Sequence, residues 1–157
     1  SFGQVRKNVT YINSVLTLPS LIYGNRPESG SLQNAAEQAM REEGYNLWEY
    51  EYHSVCFPDL WWMSWAGLGE TPGAFTWINA LADWAVISHE HGHNSGLPHA
   101  NYGDEEYGDI TDLMGDATGP GDFHPMYKLG MHWVPPESVA NVLPSHSQGE
   151  ESFVLFP

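Results

Sequence analysis

The stretch His89-Glu90-His91-Gly92-His93-Asn94-Ser95-Gly96-Leu97-Pro98-His99 contains the pattern HExxHxxGxxH in full, and each fixed position has a physical task. Side chains four apart on a helix share a face, so His89 and His93 can turn ring nitrogens toward one ion about 2.0–2.1 Å away. Gly96 can take the left-handed conformation that ends a helix, and Pro98 keeps the helix from resuming. The chain thereby turns back and offers His99 as a third nitrogen. Three protein ligands leave the fourth tetrahedral position to water, the arrangement of a catalytic rather than a structural zinc. Glu90, beside the ligand face, is placed to take a proton from that zinc-bound water, whose pKa falls to about 7, and to pass it to a leaving amine. The implied reaction is amide hydrolysis without a covalent intermediate. His91 points off the ligand face and reads as structural. With eight histidines and 16 glycines in the chain, the five fixed residues would align by chance with a probability on the order of 10⁻⁴.

Working outward, residues 80 to 94 read as the helix that carries this motif, with Leu81, Trp84, Ala85 and Ile87 or Ser88 suited to a buried face. Upstream, Val5 to Leu18 reads as a strand and Pro19 to Gly30 as a loop. A helix is predicted from Ser31 to about Glu43, with Leu32, Ala35, Ala36 and Met40 on one face and Gly44 as its stop. Asn46 to Phe57 reads as a second strand holding the sole cysteine, Cys56, as a buried inert thiol, and Ala74 to Asn79 as a short third strand. Between them, Pro58 to Glu70 is read as a loop, where Trp61, Trp62 and Trp65 suit packing better than a substrate subsite. After Gly96 the chain turns rich in Gly, Pro, Asp and His, with one short helix expected around Pro125 to Trp133. Pro135-Pro136 marks a boundary, giving a catalytic domain over 1–135 and an extension over 136–157.

The flanks narrow the motif. His93-Asn94-Ser95-Gly96-Leu97-Pro98-His99-Ala100, followed by Tyr107-Gly108-Asp109-Ile110-Thr111-Asp112-Leu113-Met114-Gly115, resembles the gametolysin-like branch of the metzincin zinc proteases, and Leu129-Gly130 with Trp133 is similar to a further segment of that family. The resemblance covers roughly residues 45 to 133. It implies an α+β metzincin-like fold: an N-terminal twisted mixed sheet with two helices over an active-site cleft, then a mostly irregular C-terminal subdomain with a Met-turn and one short helix. It implies one catalytic Zn²⁺ on His89, His93 and His99, Glu90 as the catalytic base, and Met114 as the Met-turn floor beneath the histidines. It makes Ala74, Phe75, Thr76 and Trp77 part of an edge strand on which an extended protein or peptide substrate pairs by β-augmentation. The pocket for the residue after the scissile bond is expected along Gly115 to Tyr127. A secreted endopeptidase acting on extracellular matrix or cell-wall proteins follows from the same resemblance. So does the reading of residues 139 to 157 as the start of a β-rich region. A catalytically silent zinc-containing protein- or glycan-binding module is the alternative, and the presence of Glu90 argues against it.

Composition excludes other classes. Twenty acidic against five basic residues give a net charge of −15, which repels nucleic acid and anionic membrane surfaces. No apolar run approaches the roughly 20 residues of a membrane span. The 157 residues suffice for a real core, and a monomer is expected. Asn8-Val9-Thr10 matches a glycosylation sequon. The acidic run Asp104, Glu105, Glu106, Asp109 and Asp112 can be imagined around Ca²⁺, but its spacing misses the EF-hand pattern and it reads as a solvated loop. Spacing alone places neither Tyr107 nor Tyr127 at an oxyanion.

Overall fold

Leu32, Ala36 and Met40 recur at helical spacing, and their burial fixes the first helix, α1 (Ser29–Glu42), against the sheet. It begins two residues before the predicted start and ends at Glu42, two residues short of Gly44, whose φ of +89° is the left-handed stop that glycine permits. The computed structural model describes residues 7–12, 15–18, 29–60, 63–80, 83–116 and 121–140. The Pro19–Gly30 loop apart from its helical end, Trp61, Trp62, Leu81 and the region from 141 to 157 lie outside the described residues. The first predicted strand is not found, since the described part of Val5 to Leu18 pairs in no ladder.

The second predicted strand shortens to β1 (His53–Phe57). Its first residues instead wind into a 3-10 turn over Leu47–Glu49, because the Asn46 side chain accepts a hydrogen bond from the Trp48 amide at 3.3 Å. A short strand absent from the sequence reading, β2 (Gly67–Gly69), and then β3 (Phe75–Asn79) complete a three-stranded mixed sheet of order β1-β3-β2. β1 runs parallel to β3, His53 opposite Phe75, and β2 antiparallel to it, Leu68 opposite Trp77. All five β3 residues are buried, as befits a central strand. Phe75 and Trp77 join the α1 stripe and Leu47 in one core, with Val55, Phe57 and Trp65 packed against it. Trp65 meets the Phe57 ring edge-on at 6.1 Å, the packing role expected for it.

α2 (Trp84–Asn94) starts four residues later than predicted. Asp83 sets that start, its carboxylate accepting from the amides of Ala85 and Val86 at 2.9 and 3.1 Å. Trp84 is exposed, and the buried face consists of Ala85, His89, Glu90, Gly92, His93 and Asn94. A face so polar is held by specific bonds instead of apolar burial. Asn94 Oδ1 accepts from the Thr76 hydroxyl at 2.6 Å, and Asn94 Nδ2 donates to the carbonyls of Phe75 and Glu70 at 2.9 and 3.3 Å. Asn94→Ala orphans these buried groups, and we expect a loss of about 2–3 kcal/mol, seen as a thermal midpoint lowered by about 5–10 °C. A shift below a degree would show that the helix is anchored elsewhere.

Beyond α2 the described chain is mostly irregular, as expected. Its one α-helix, α3 (Pro125–Gly130), opens on proline at the first position, with His124 Nδ1 accepting from the Met126 amide at 3.2 Å. Leu97, Ala100 and Met114 form a second, smaller core, with Phe123, Tyr127, Met131 and Trp133 against it. No helix among the described residues is long and apolar enough to cross a membrane.

Candidate active site

The last two turns of α2 bring His89 and His93 to one side, and the chain reverses at Gly96, whose φ is +92°. The reversal carries His99 back, and the nearest ring centroids of the three histidines lie 4.7–5.4 Å apart. One potential ligand atom from each lies within 4.8 Å of the others, the only such group among the described residues. The orientation of each ring is set from behind. His89 Nδ1 lies 2.5 Å from the carbonyl of Leu113, His93 Nδ1 2.8 Å from that of Leu97, and His99 Nδ1 2.7 Å from Glu106 Oε1. Each acceptor requires the proton on Nδ1 and so leaves the Nε2 lone pair for a metal. His93 Nε2 and His99 Nε2 face each other at 3.0 Å. Burial holds His89 and His93 below the usual histidine pKa, in the neutral form that ligates. Three imidazoles with converging free nitrogens are a donor set that fits a divalent metal.

Glu90 is buried beside the triad, against β2. Burial pushes its pKa up to about 7, opposed by a hydrogen bond from the Gly69 amide. That contact requires bare backbone: a Cβ at Gly67 would lie 2.5 Å from Glu90 Oε1, and one at Gly69 2.5 Å from the Glu90 carbonyl oxygen. Ala66 and Glu70 bond to β3 (Asn79 N to Ala66 O, 2.8 Å; Glu70 N to Phe75 O, 3.1 Å), so the main-chain groups of Gly67 and Gly69 face away from it. β2 is therefore the edge strand on the Glu90 side.

This corrects the assignment of Ala74, Phe75, Thr76 and Trp77 to a substrate-pairing edge. Phe75, Thr76 and Trp77 lie in the middle strand with buried side chains. The backbone of Ala74 is used as well: its amide donates to Glu70 Oε2 at 2.9 Å and its carbonyl accepts from His53 N at 2.8 Å. Cys56 also differs from expectation. Alternation on β1 turns Val55 and Phe57 toward the core, and the thiol is exposed.

Met114 is fully buried, and a Cβ at Gly92 would come within 2.3 Å of its sulfur, so methionine and helix touch directly. Asp112 Oδ1 shapes this turn by accepting from the Met114 amide at 2.8 Å. His91 is no ligand: its Nε2 lies 2.9 Å from Ser54 Oγ and its ring stacks on Tyr52. Burial, aided by Lys7, pushes its pKa down to about 4. Within the acidic run, Glu106 serves His99, Asp109 accepts from Thr111 and Asp112 from Met114. The Tyr127 hydroxyl donates to the Pro98 carbonyl at 3.3 Å, and the Tyr107 ring lies 3.9 Å from that of His99. Sequence reasoning missed Glu106, Asn94 and the glycines of β2. Only those glycines left a trace, two of them around one leucine just before a strand.

The chain is 46% identical over 65 residues to autolysin of Chlamydomonas reinhardtii, a stretch that covers 38% of this chain and 10% of autolysin. The chain thus aligns with about a tenth of that relative's length. No solved structure matches it significantly. The family model described as Gametolysin peptidase M11 matches residues 11–154, nearly the whole sequence. The chain belongs to the gametolysin peptidase M11 family of metallopeptidases.

Proposed function

We propose that the protein is a zinc-dependent endopeptidase that hydrolyses peptide bonds of extended protein substrates outside the cell, with extracellular matrix or cell-wall proteins as its substrate class. The observation that carries this reading is the convergence of His89, His93 and His99, each with its Nδ1 taken by an acceptor, beside the buried carboxyl of Glu90. Zinc held there supplies a Lewis acid for the scissile carbonyl and an acidified water. Glu90 receives the proton of the attacking water and returns it to the leaving amine. Gly69 orients Glu90 through its amide, and the remaining outward main-chain groups of β2, those of Gly67 and the Gly69 carbonyl, offer an extended substrate an antiparallel partner. Met114 supports the α2 end of the triad from below, in the Met-turn role. The family match supports this reading at the level of the metallopeptidase class.

Cleavage of a peptide library, with metal analysis on the same sample, tests the proposal. Cleavage is expected with about one zinc per chain. A chelator should abolish it, and added zinc should restore it. The chelated protein should also melt lower, since an ion present at about 100 times its dissociation constant contributes about 2.7 kcal/mol. Zinc binding without turnover on any peptide would favour a silent binding module.

A further inference from the structure

The three ligands are not held alike. His89 and His93 sit on a helix and lean on backbone carbonyls, whereas His99 lies outside any helix and leans on a side chain, Glu106. Glu106 is delivered by a tight loop over 101–108. Tyr102 and Glu105 exchange amide hydrogen bonds of 3.1 Å in both directions, Gly108 N donates to Glu105 O at 3.2 Å, and Asp109 N closes the loop on Ala100 O at 3.2 Å. A Cβ at Gly108 would come within 2.9 Å of Tyr102 Cβ, so the loop has no slack there. Tyr107, which follows Glu106, has a φ of +62° and lays its ring 3.9 Å from the His99 ring, tilted by 39°. One dipeptide thus holds His99 twice, at its rear nitrogen and on its ring.

Resting on the zinc reading above, we infer that Glu106 is a positioning residue that fixes His99 as the third metal ligand and thereby tunes metal affinity, with Tyr107 as the opposing wall. A carboxylate behind a ligating imidazole fixes its tautomer and raises its basicity, and losing such a partner typically weakens metal binding by about 10–100-fold. Because the Glu106 side chain is 65% exposed, removing it leaves no cavity to collapse.

The test is zinc affinity by competition with a chromophoric chelator, which reads the metal independently of peptidase activity. Glu106→Ala should weaken zinc by about 10–100-fold, with the thermal midpoint of the metal-free protein unchanged. Glu106→Gln, whose amide oxygen still accepts from Nδ1 but lacks the charge, should fall between Glu106→Ala and the native protein. Glu105→Ala, a change of the same charge one residue away, should alter affinity less than twofold. In a His99→Ala background, Glu106→Ala should have no further effect, because the ligand it positions is gone. Unchanged zinc affinity in Glu106→Ala overturns the inference, as does an equal loss in Glu105→Ala or an undiminished loss in the His99→Ala background. A native protein that bound no zinc would instead overturn the metallopeptidase reading, and this inference with it, so the two failures are distinct.

Discussion

Glu90→Gln is expected to retain zinc and to lose peptide cleavage by about 10²–10⁴-fold, the usual contribution of a positioned general acid–base group. The substitution is isosteric, and its amide oxygen can still accept from the Gly69 amide that now bonds to the carboxylate. The site should therefore keep its shape and lose the proton carrier proposed for it. The three ligand rings owe their orientation to Leu113, Leu97 and Glu106, none of which touches Glu90 through those bonds, so metal content should stay at the native value. The measurement is kcat/KM on a cleaved library peptide beside metal analysis of the same protein. Cleavage within tenfold of native would remove Glu90 from the proton path. Loss of zinc together with activity would show that its role is structural.

Gly67→Ala should be nearly as damaging, although its residue bears no reactive group. Its new Cβ would lie 2.5 Å from Glu90 Oε1, 2.6 Å from Cγ and 2.8 Å from Cδ, so the carboxylate or β2 must shift. A displacement on the order of 1 Å at a reacting group can cost about 10²-fold in rate, and overpacking adds about 1–3 kcal/mol of destabilisation. We expect kcat to fall by about 10²-fold with zinc retained. Leu68→Ala is the control: the residue is 40% exposed and loss of its side chain should leave kcat within a few-fold. Equal activity of Gly67→Ala and native enzyme would show that β2 yields freely and does not hold the base.

Both variants concern contacts that differ sharply in how visible they were in the sequence. His89, His93, the helix they share and the turn at Gly96 were legible because helical periodicity and a glycine stop are local properties, and the structure places them accordingly. α1 was legible for the same reason. β2 was not, because Gly-Leu-Gly has no intrinsic strand preference and becomes a strand only by pairing with β3. The resemblance puts the substrate edge on Ala74–Trp77, although the continuous run Phe75-Thr76-Trp77-Ile78 has the pattern of a strand buried on both faces. Cys56 is exposed because Val55 and Phe57 take the core side of β1, and the general preference of cysteine for burial has no information about that alternation. Glu106 could not be anticipated, since a loop has no period that links position 106 to position 99.

The two apolar clusters are built from different parts of the chain, one around α1 and the sheet and one around Met114. α2 touches both: Asn94 ties it to β3, while Gly92 rests on the Met114 sulfur and His89 reaches the Leu113 carbonyl. The helix bearing His89 and His93 is therefore also the beam that spans the two clusters, and an ion held by His89, His93 and His99 would tie the sheet side to the chain beyond Gly96. Loading the site would couple the breathing of the two halves into one cooperative unit. A cation bound for chemistry would then also determine whether the two apolar clusters move separately or together.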